Sequence, residues 1–244
     1  MLLLALLFFV CRYYTAGNFA EASASSPVFH GGSFLAMAGK DSVTLVSESR
    51  FSSNSFYVGK QLRKVYRVGS KTIIGLYGIE SDCYLLIAAL RSRLSGHQDS
   101  DLAPAHIARV VSDLMYSLRL HLKPIVIGLS ERKTSPSSSS SSLSSTTVAT
   151  STTTLVEPYI CTMDGLGAQT ESRGYAVCGT SSAALTTVCE AEYTVGMSVD
   201  QVARLAKECF SMAVKRDVLS GGDVRCITLH NGTIWSKEYQ HSAE

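Results

Sequence analysis

Apolar and polar positions change period along the chain, and each change marks off a block of strand or helix. Ser33 to Ala38 and Ser42 to Ser47 are short apolar stretches joined by Gly39-Lys40-Asp41, a turn-forming triplet, and they predict a hairpin. Lys64 to Val68 and Thr72 to Tyr77 predict a second hairpin around Gly69-Ser70. The period then lengthens. Between Ser81 and Leu94 the apolar positions Tyr84, Leu85, Ala88, Ala89 and Leu90 suit a helix, with Arg91 and Arg93 near its negative end and Gly96 as its stop. Ile107, Val110, Val111, Leu114, Leu118 and Leu122 mark a second helix, opened near Pro104 and closed before Pro124.

Two short runs follow, Pro124 to Leu129 and Pro158 to Asp164, which read as neighbouring antiparallel strands. Between them Thr134 to Thr154 is nearly all Ser and Thr, interrupted by Pro136, Leu143, Val148 and Ala149. So little apolar surface does not offset the entropy of ordering a backbone, so a disordered loop is expected. At a hairpin tip it costs little, because closure entropy rises only with the logarithm of length. Gly174 to Cys178 then reads as a strand and Ser181 to Tyr193 as a helix. Ser198-Val199-Asp200-Gln201 is a capping box, and Val199, Val202, Ala203, Ala206, Cys209, Phe210, Ala213 and Val214 repeat behind it at helical spacing. Asp223 to Leu229 and Thr233 to Lys237 flank the turn His230-Asn231-Gly232. Strands, two helices, strands, two helices and strands predict an α+β protein of two antiparallel sheets packed together, with helix layers outside.

Composition narrows the classes of function. A chain of 244 residues, 45% hydrophobic, can bury one large core. A net charge of +2 points to no nucleic-acid partner. The seven cysteines, Cys11, Cys83, Cys161, Cys178, Cys189, Cys209 and Cys226, contain no CxxC, and no His pair stands at ligand spacing, so neither a disulfide framework, a metal site nor a cofactor is expected. A reducing compartment is the natural reading.

Residues 1–30 pull the other way. Leu2 to Val10 is an unbroken apolar run, too short to span a bilayer, and Ala22-Ser23-Ala24 is a small-residue cleavage pattern. No basic residue precedes the run. A secretory signal, a propeptide, a poorly ordered leader and a start codon set too early all remain open. The domain expected is 31–240, preceded by this leader and interrupted by the Ser/Thr insertion at 134–154.

The candidate chemistry rests on spacing. Glu48 stands sixteen residues and Lys64 thirty-two residues beyond Gly32. Gly31-Gly32-Ser33-Phe34-Leu35-Ala36-Met37, Arg50, Lys64 and the segment Arg216-Asp217-Val218-Leu219-Ser220-Gly221-Gly222 together resemble the framework of the 20S proteasome beta subunits, self-processing N-terminal nucleophile hydrolases, and within them the non-catalytic type 3 branch. The resemblance covers roughly Gly31 to Lys237 without the insert.

The resemblance implies a four-layer αββα sandwich and a degenerate site. Gly32 takes the place of the nucleophilic threonine, and a glycine has no side-chain oxygen with which to attack. Glu48 replaces an aspartate and Lys64 keeps the lysine. Cys178 falls near the place of an assisting serine, and Asp217 and Ser220 match positions that support the nucleophile's amine. Without that amine, an acid and a hydroxyl bonded near a Gly-Gly bend is their ordinary role. Asp164 matches a position facing the pocket of the adjacent subunit, although an Asp before Gly165 is also a common turn residue.

The implied function is that of a structural, non-catalytic subunit of the inner beta ring in ubiquitin-dependent protein degradation. It would sit between beta type 2 and type 4 neighbours beneath an alpha ring, in cytoplasm and nucleus, with no cofactor, nucleic acid or membrane. Two rivals stand beside it. Ser33 would be exposed as a nucleophile by cleavage after Gly32, but its spacing is one residue short, and a one-residue slip turns a strand side chain to the other face. A secreted protein would begin near Ser25 and carry sugars on the Ser/Thr tract. Thr152-Thr153-Thr154-Leu155 copies the start of active beta subunits, but only Asp164 and Glu171, and no lysine, follow within reach.

Overall fold

The computed structural model describes residues 32–53, 56–59, 62–98, 102–133, 154–217 and 219–239. The apolar leader, the small-residue cleavage pattern, Cys11 and the Ser/Thr tract through Thr153 lie outside the described residues. Among those described the chain runs β1 (Ser33–Ala38), β2 (Ser42–Glu48), β3 (Phe51–Ser53), β4 (Phe56–Gly59), β5 (Val65–Val68) and β6 (Thr72–Gly78), then α1 (Glu80–Leu94) and α2 (Pro104–Leu118). It continues through β7 (Leu122–Lys133), β8 (Thr154–Met163), β9 (Gln169–Ser172) and β10 (Tyr175–Gly179), then α3 (Ser182–Glu192) and α4 (Val199–Val214), and ends in β11 (Val224–His230) and β12 (Thr233–Tyr239).

The strands form two five-stranded antiparallel sheets, ordered β10-β1-β2-β11-β12 and β5-β6-β7-β8-β9, with β3 and β4 as a separate pair. Three apolar clusters lie between four layers. Phe34, Ala36, Val43 and Leu45 meet Ile73, Ile125, Ile127 and Ile160 between the sheets. Leu35, Met37 and Val46 turn the other way, onto Leu185 of α3 and Val202, Ala206 and Phe210 of α4. On the far sheet Ile74, Leu76 and Val126 face Leu86 and Leu90 of α1 and Ile107, Val111 and Met115 of α2. β1 is therefore buried on both faces, which is why its sequence is apolar from Phe34 to Ala38 while successive side chains still go to opposite layers. The expected αββα sandwich is the fold observed.

The capping box also forms, Gln201 Oε1 accepting from Ser198 N at 2.9 Å. The β7–β8 hairpin is longer than the apolar runs indicate, because pairing extends outward to Lys133 opposite Thr154, the point where the Ser/Thr tract leaves and returns.

Two expectations are corrected, and one strand was not foreseen. The face assigned to α1 is only partly right: Leu90 is buried and Ala89 packs on the core as expected, but Cys83, Leu86 and Ile87 complete the buried face, while Tyr84 and Leu85 are 54% and 50% exposed and Ala88 is also on the surface. The helix carries apolar residues on two faces, so periodicity identifies a helix but docking decides which face is covered. Leu122 does not continue the stripe of α2, because Arg119 adopts a left-handed backbone at φ 53° and ends the helix, leaving Leu122 to open β7. The strand β9 is polar and largely exposed at a sheet edge, with no apolar alternation to reveal it.

Candidate functional site

The alternation of β1 sets the site. Residue 32 precedes Ser33 and shares a side with Phe34, toward the space between the sheets. A β-carbon placed on Gly32 would lie 3.2 Å from Lys64 Nζ, 3.6 Å from Glu48 Oε1 and 3.0 Å from Tyr77 Cβ. Glu48 comes from the end of β2 and Lys64 from the residue before β5, and their side chains form a buried ion pair. Arg50 N donates to Glu48 Oε2 at 2.5 Å, holding the second oxygen. Burial raises the carboxyl pKa of Glu48 against the opposing pull of Lys64, and burial lowers that of Lys64 against the pull of Glu48.

The glycine is enclosed by backbone as well. Thr180 N donates to Gly32 O at 3.1 Å. Gly179 has φ +108°, and a β-carbon there would fall 1.9 Å from Gly32 O, so the close approach of β10 to residue 32 requires glycine at 179. Arg50 N donates to Gly221 O at 3.1 Å, joining the end of β2 to the bend before β11.

Ser33 goes the other way, with Leu35 and Met37. It is fully buried, its Oγ 2.8 Å from Ser220 Oγ and accepting from Ser181 N at 3.0 Å. Behind it Asp217 collects hydroxyls: its Oδ2 accepts from Thr180 at 2.5 Å, Ser181 at 2.6 Å and Ser220 at 2.7 Å, while Oδ1 accepts from Leu219 N at 2.9 Å. Burial pushes the Asp217 carboxyl up, but the hydrogen bonds from Ser181, Thr180, Ser220 and Leu219 together hold it below the usual range.

Gly32, Glu48 and Lys64 thus lie together, and Ser33, Ser220 and Asp217 form an adjoining group. Cys178, opposite Phe34 in register, is held as a thiol with its pKa pushed up to about 12 by burial. Thr180 and Ser181 are the residues that sequence reasoning missed. Their signal is weak, two hydroxyl side chains at the turn that opens α3, and their partner Asp217 lies thirty-six residues or more away.

Asp164 stands apart, on the exposed β8–β9 turn. Its Oδ1 accepts from Leu166 N at 2.9 Å and Ala168 N at 2.8 Å, and those amides hold its pKa below the ordinary carboxylate value. Ser112 Oγ of α2 donates to Gly167 O at 2.6 Å and ties the turn down. Leu166, at its tip, is 57% exposed. Among the described residues, no helix is long and apolar enough to cross a membrane.

A lysine–carboxylate pair aimed at the residue before β1, inside a four-layer sandwich of two antiparallel sheets, defines the N-terminal nucleophile hydrolase class. The sequence pattern of the family described as "Proteasome subunit" matches residues 28–229, and the chain belongs to that family. Among similar proteins, "Proteasome subunit beta type-3" of Oryza sativa subsp. japonica is 28% identical over 199 residues, covering 79% of this chain and 86% of its own. The protein of the same name from Drosophila melanogaster is 24% identical, with 79% and 86% covered. "Probable proteasome subunit beta type-3" of Schizosaccharomyces pombe is 26% identical, with the same coverage.

Proposed function

We propose that the chain is a non-catalytic beta subunit of the 20S proteasome core particle, a single domain over 31–240 with an insertion at 134–154. The observation that carries this reading is the vacancy at residue 32. Lys64 and Glu48 point at a β-carbon that glycine lacks, so the base is present and residue 32 supplies no nucleophilic oxygen in front of it. Ser33 does not fill the gap, since its hydroxyl is committed to Ser220 and Ser181 N on the other side of the strand. Such a subunit acts through its surfaces. It closes the inner beta ring between type 2 and type 4 neighbours, contacts the alpha ring above, and presents the turn at Asp164 to a neighbour's substrate pocket, in cytoplasm and nucleus. The degradation it serves is that of ubiquitin-marked proteins.

The test is native isolation of the C-terminally tagged chain from its own cells, with mass spectrometry of its companions and of its N-terminal residue. Recovery with alpha and beta proteasome subunits, and with no mature chain starting at Ser33, is the expected result. A chain starting at Ser33 and labelled there by an N-terminal-nucleophile inhibitor would overturn it. So would a lone chain starting near Ser25 with sugar on the Ser/Thr tract.

A further inference from the structure

The turn between β8 and β9 takes its shape from one set of bonds and its place from another. The shape is set from within. Asp164 Oδ1 accepts from Leu166 N and Ala168 N, Gly167 N donates to Asp164 O at 3.1 Å, and Asp164 N donates to Ala168 O at 3.2 Å. The place is set by α2, on which the turn lies. We propose that Ser112 of α2 is a positioning residue, which fixes where the tip of this turn stands and thereby how well a neighbour's pocket holds its substrate, a role that rests on the turn facing that pocket.

The contacts follow one face of the helix. Ala108, Ser112 and Met115 stand at i, i+4 and i+7, the spacing that puts residues in one line along α2. Gln169 Nε2 donates to Ala108 O at 3.4 Å, and Ser112 Oγ donates to Gly167 O at 2.6 Å. A β-carbon on Gly167 would fall 3.1 Å from Met115 Cβ and 2.7 Å from Ser112 O, and Gly167 holds φ +90°. Glycine at 167 is therefore what lets the chain lie this close to the helix. Residues 167–169 run antiparallel to α2, with Gly167 buried and its neighbours Leu166 and Ala168 exposed. The helix beneath is a fixed base, because Ile107, Ala108, Val111, Leu114 and Met115 are all buried.

Of the two side-chain bonds between turn and helix, the one from Ser112 is the shorter, and it grips the residue next to the exposed tip. Removing its hydroxyl leaves every bond within the turn intact. The turn then keeps its shape but is free to ride off α2 as a unit. A pocket wall displaced in this way binds substrate and transition state less well by the same amount, which raises KM and leaves kcat unchanged.

The experiment replaces the native chain in its own cells by Ser112→Ala, Ser112→Thr, Gly167→Ala or Leu166→Asp. On the isolated particles kcat and KM are measured for three fluorogenic peptides, with a basic, an acidic or a large apolar residue before the cleaved bond. Amide exchange in the turn is followed on the full chain. Ser112→Ala is expected to raise KM about 2- to 10-fold for one of the peptides, the range that one hydrogen bond commands, with kcat and the other two peptides unchanged. Exchange at the Leu166 and Ala168 amides, which Asp164 holds, stays at the native rate. Ser112→Thr keeps the hydroxyl and restores the native KM, while Gly167→Ala lifts the turn from the other side and reproduces the shift. Leu166→Asp puts a charge on the tip without touching the seat, and so reports whether the turn meets a pocket at all. If Leu166→Asp alters KM and Ser112→Ala does not, the turn faces a pocket but Ser112 does not position it, and the proposal is overturned. If neither alters KM, the turn faces no pocket, and the positioning role falls with that reading. Faster amide exchange in Ser112→Ala, a shift with all three peptides, or no rescue by Ser112→Thr would each show a merely structural role and overturn the proposal as well.

Discussion

Lys64 Nζ lies 3.2 Å from the place a β-carbon on Gly32 would take, so the lysine addresses a side chain this protein does not have. The consequence is testable by restoring it. A chain beginning at residue 32 with Gly32→Thr is expected to acquire an adduct with a threonine-directed epoxyketone, whereas the native chain acquires none. Adding Lys64→Ala should slow that labelling by about 10²-fold or more, the usual contribution of a positioned base. The rate is read by intact-mass spectrometry, and adduct formation by the native chain at Ser33 would refute the assignment.

The ion pair itself carries a second expectation. Removing one partner of a buried pair leaves the other charge uncompensated, so Lys64→Met should cost about 3–5 kcal/mol in urea unfolding near neutral pH. The sign with pH follows from Glu48, whose folded pKa is already raised above 4.5 by burial and rises further without the lysine. The folded state then keeps a proton that the unfolded state releases. Stability of the variant therefore falls as pH rises from about 4.5 through the folded pKa, and its deficit is smallest in acid. A deficit independent of pH would show that Glu48 is not the group left unpaired.

Asp217 behaves in the opposite sense. Its folded pKa lies below 3.8, so its contribution is present above that value and lost as pH falls through the depressed pKa. Asp217→Asn should cost about 1 kcal/mol, at the low end for a charged acceptor because the carboxylate is only part-buried and its solvent-facing side is screened. The difference between native and variant should narrow below about pH 4 in chemical denaturation.

Much of this was open to reading from the linear chain, and the reason is geometric. Gly32, Glu48 and Lys64 sit at or beside the ends of strands, where a period of two converts spacing directly into side, and Ser33 was separable from Gly32 on that ground alone. The hydroxyl cluster was not legible in the same way. Thr180 and Ser181 meet Asp217 only because the β10–α3 turn packs against the segment after α4, and no local pattern announces that meeting. The face of α1 failed for a related cause: Leu85 is as apolar as Leu86 and Ile87, and only docking on the sheet distinguishes them.

Gly179 is expected to tolerate no side chain. Alanine there must hold φ +108° and fit a β-carbon 1.9 Å from Gly32 O, backbone that no rotamer change can move aside. Gly179→Ala should therefore destabilise the chain by about 4 kcal/mol or more, measured by urea unfolding. Gly232→Ala is the control: it also has positive φ, at 72°, but nothing lies within 4 Å of its β-carbon, so only the backbone cost of about 1 kcal/mol remains.

The turn at Asp164 separates local order from assembly. Its Oδ1 holds the amides of Leu166 and Ala168, so Asp164→Ala should raise hydrogen exchange at those two amides while leaving global unfolding unchanged. Asp164→Asn keeps a carbonyl acceptor and should preserve most of the protection while removing the charge. If the turn walls a neighbour's pocket, both variants incorporated into particles should change the neighbour's cleavage of a charged peptide substrate, because both lose the carboxylate. Loss of amide protection in Asp164→Ala with peptide cleavage unchanged in both would confine Asp164 to shaping its own turn.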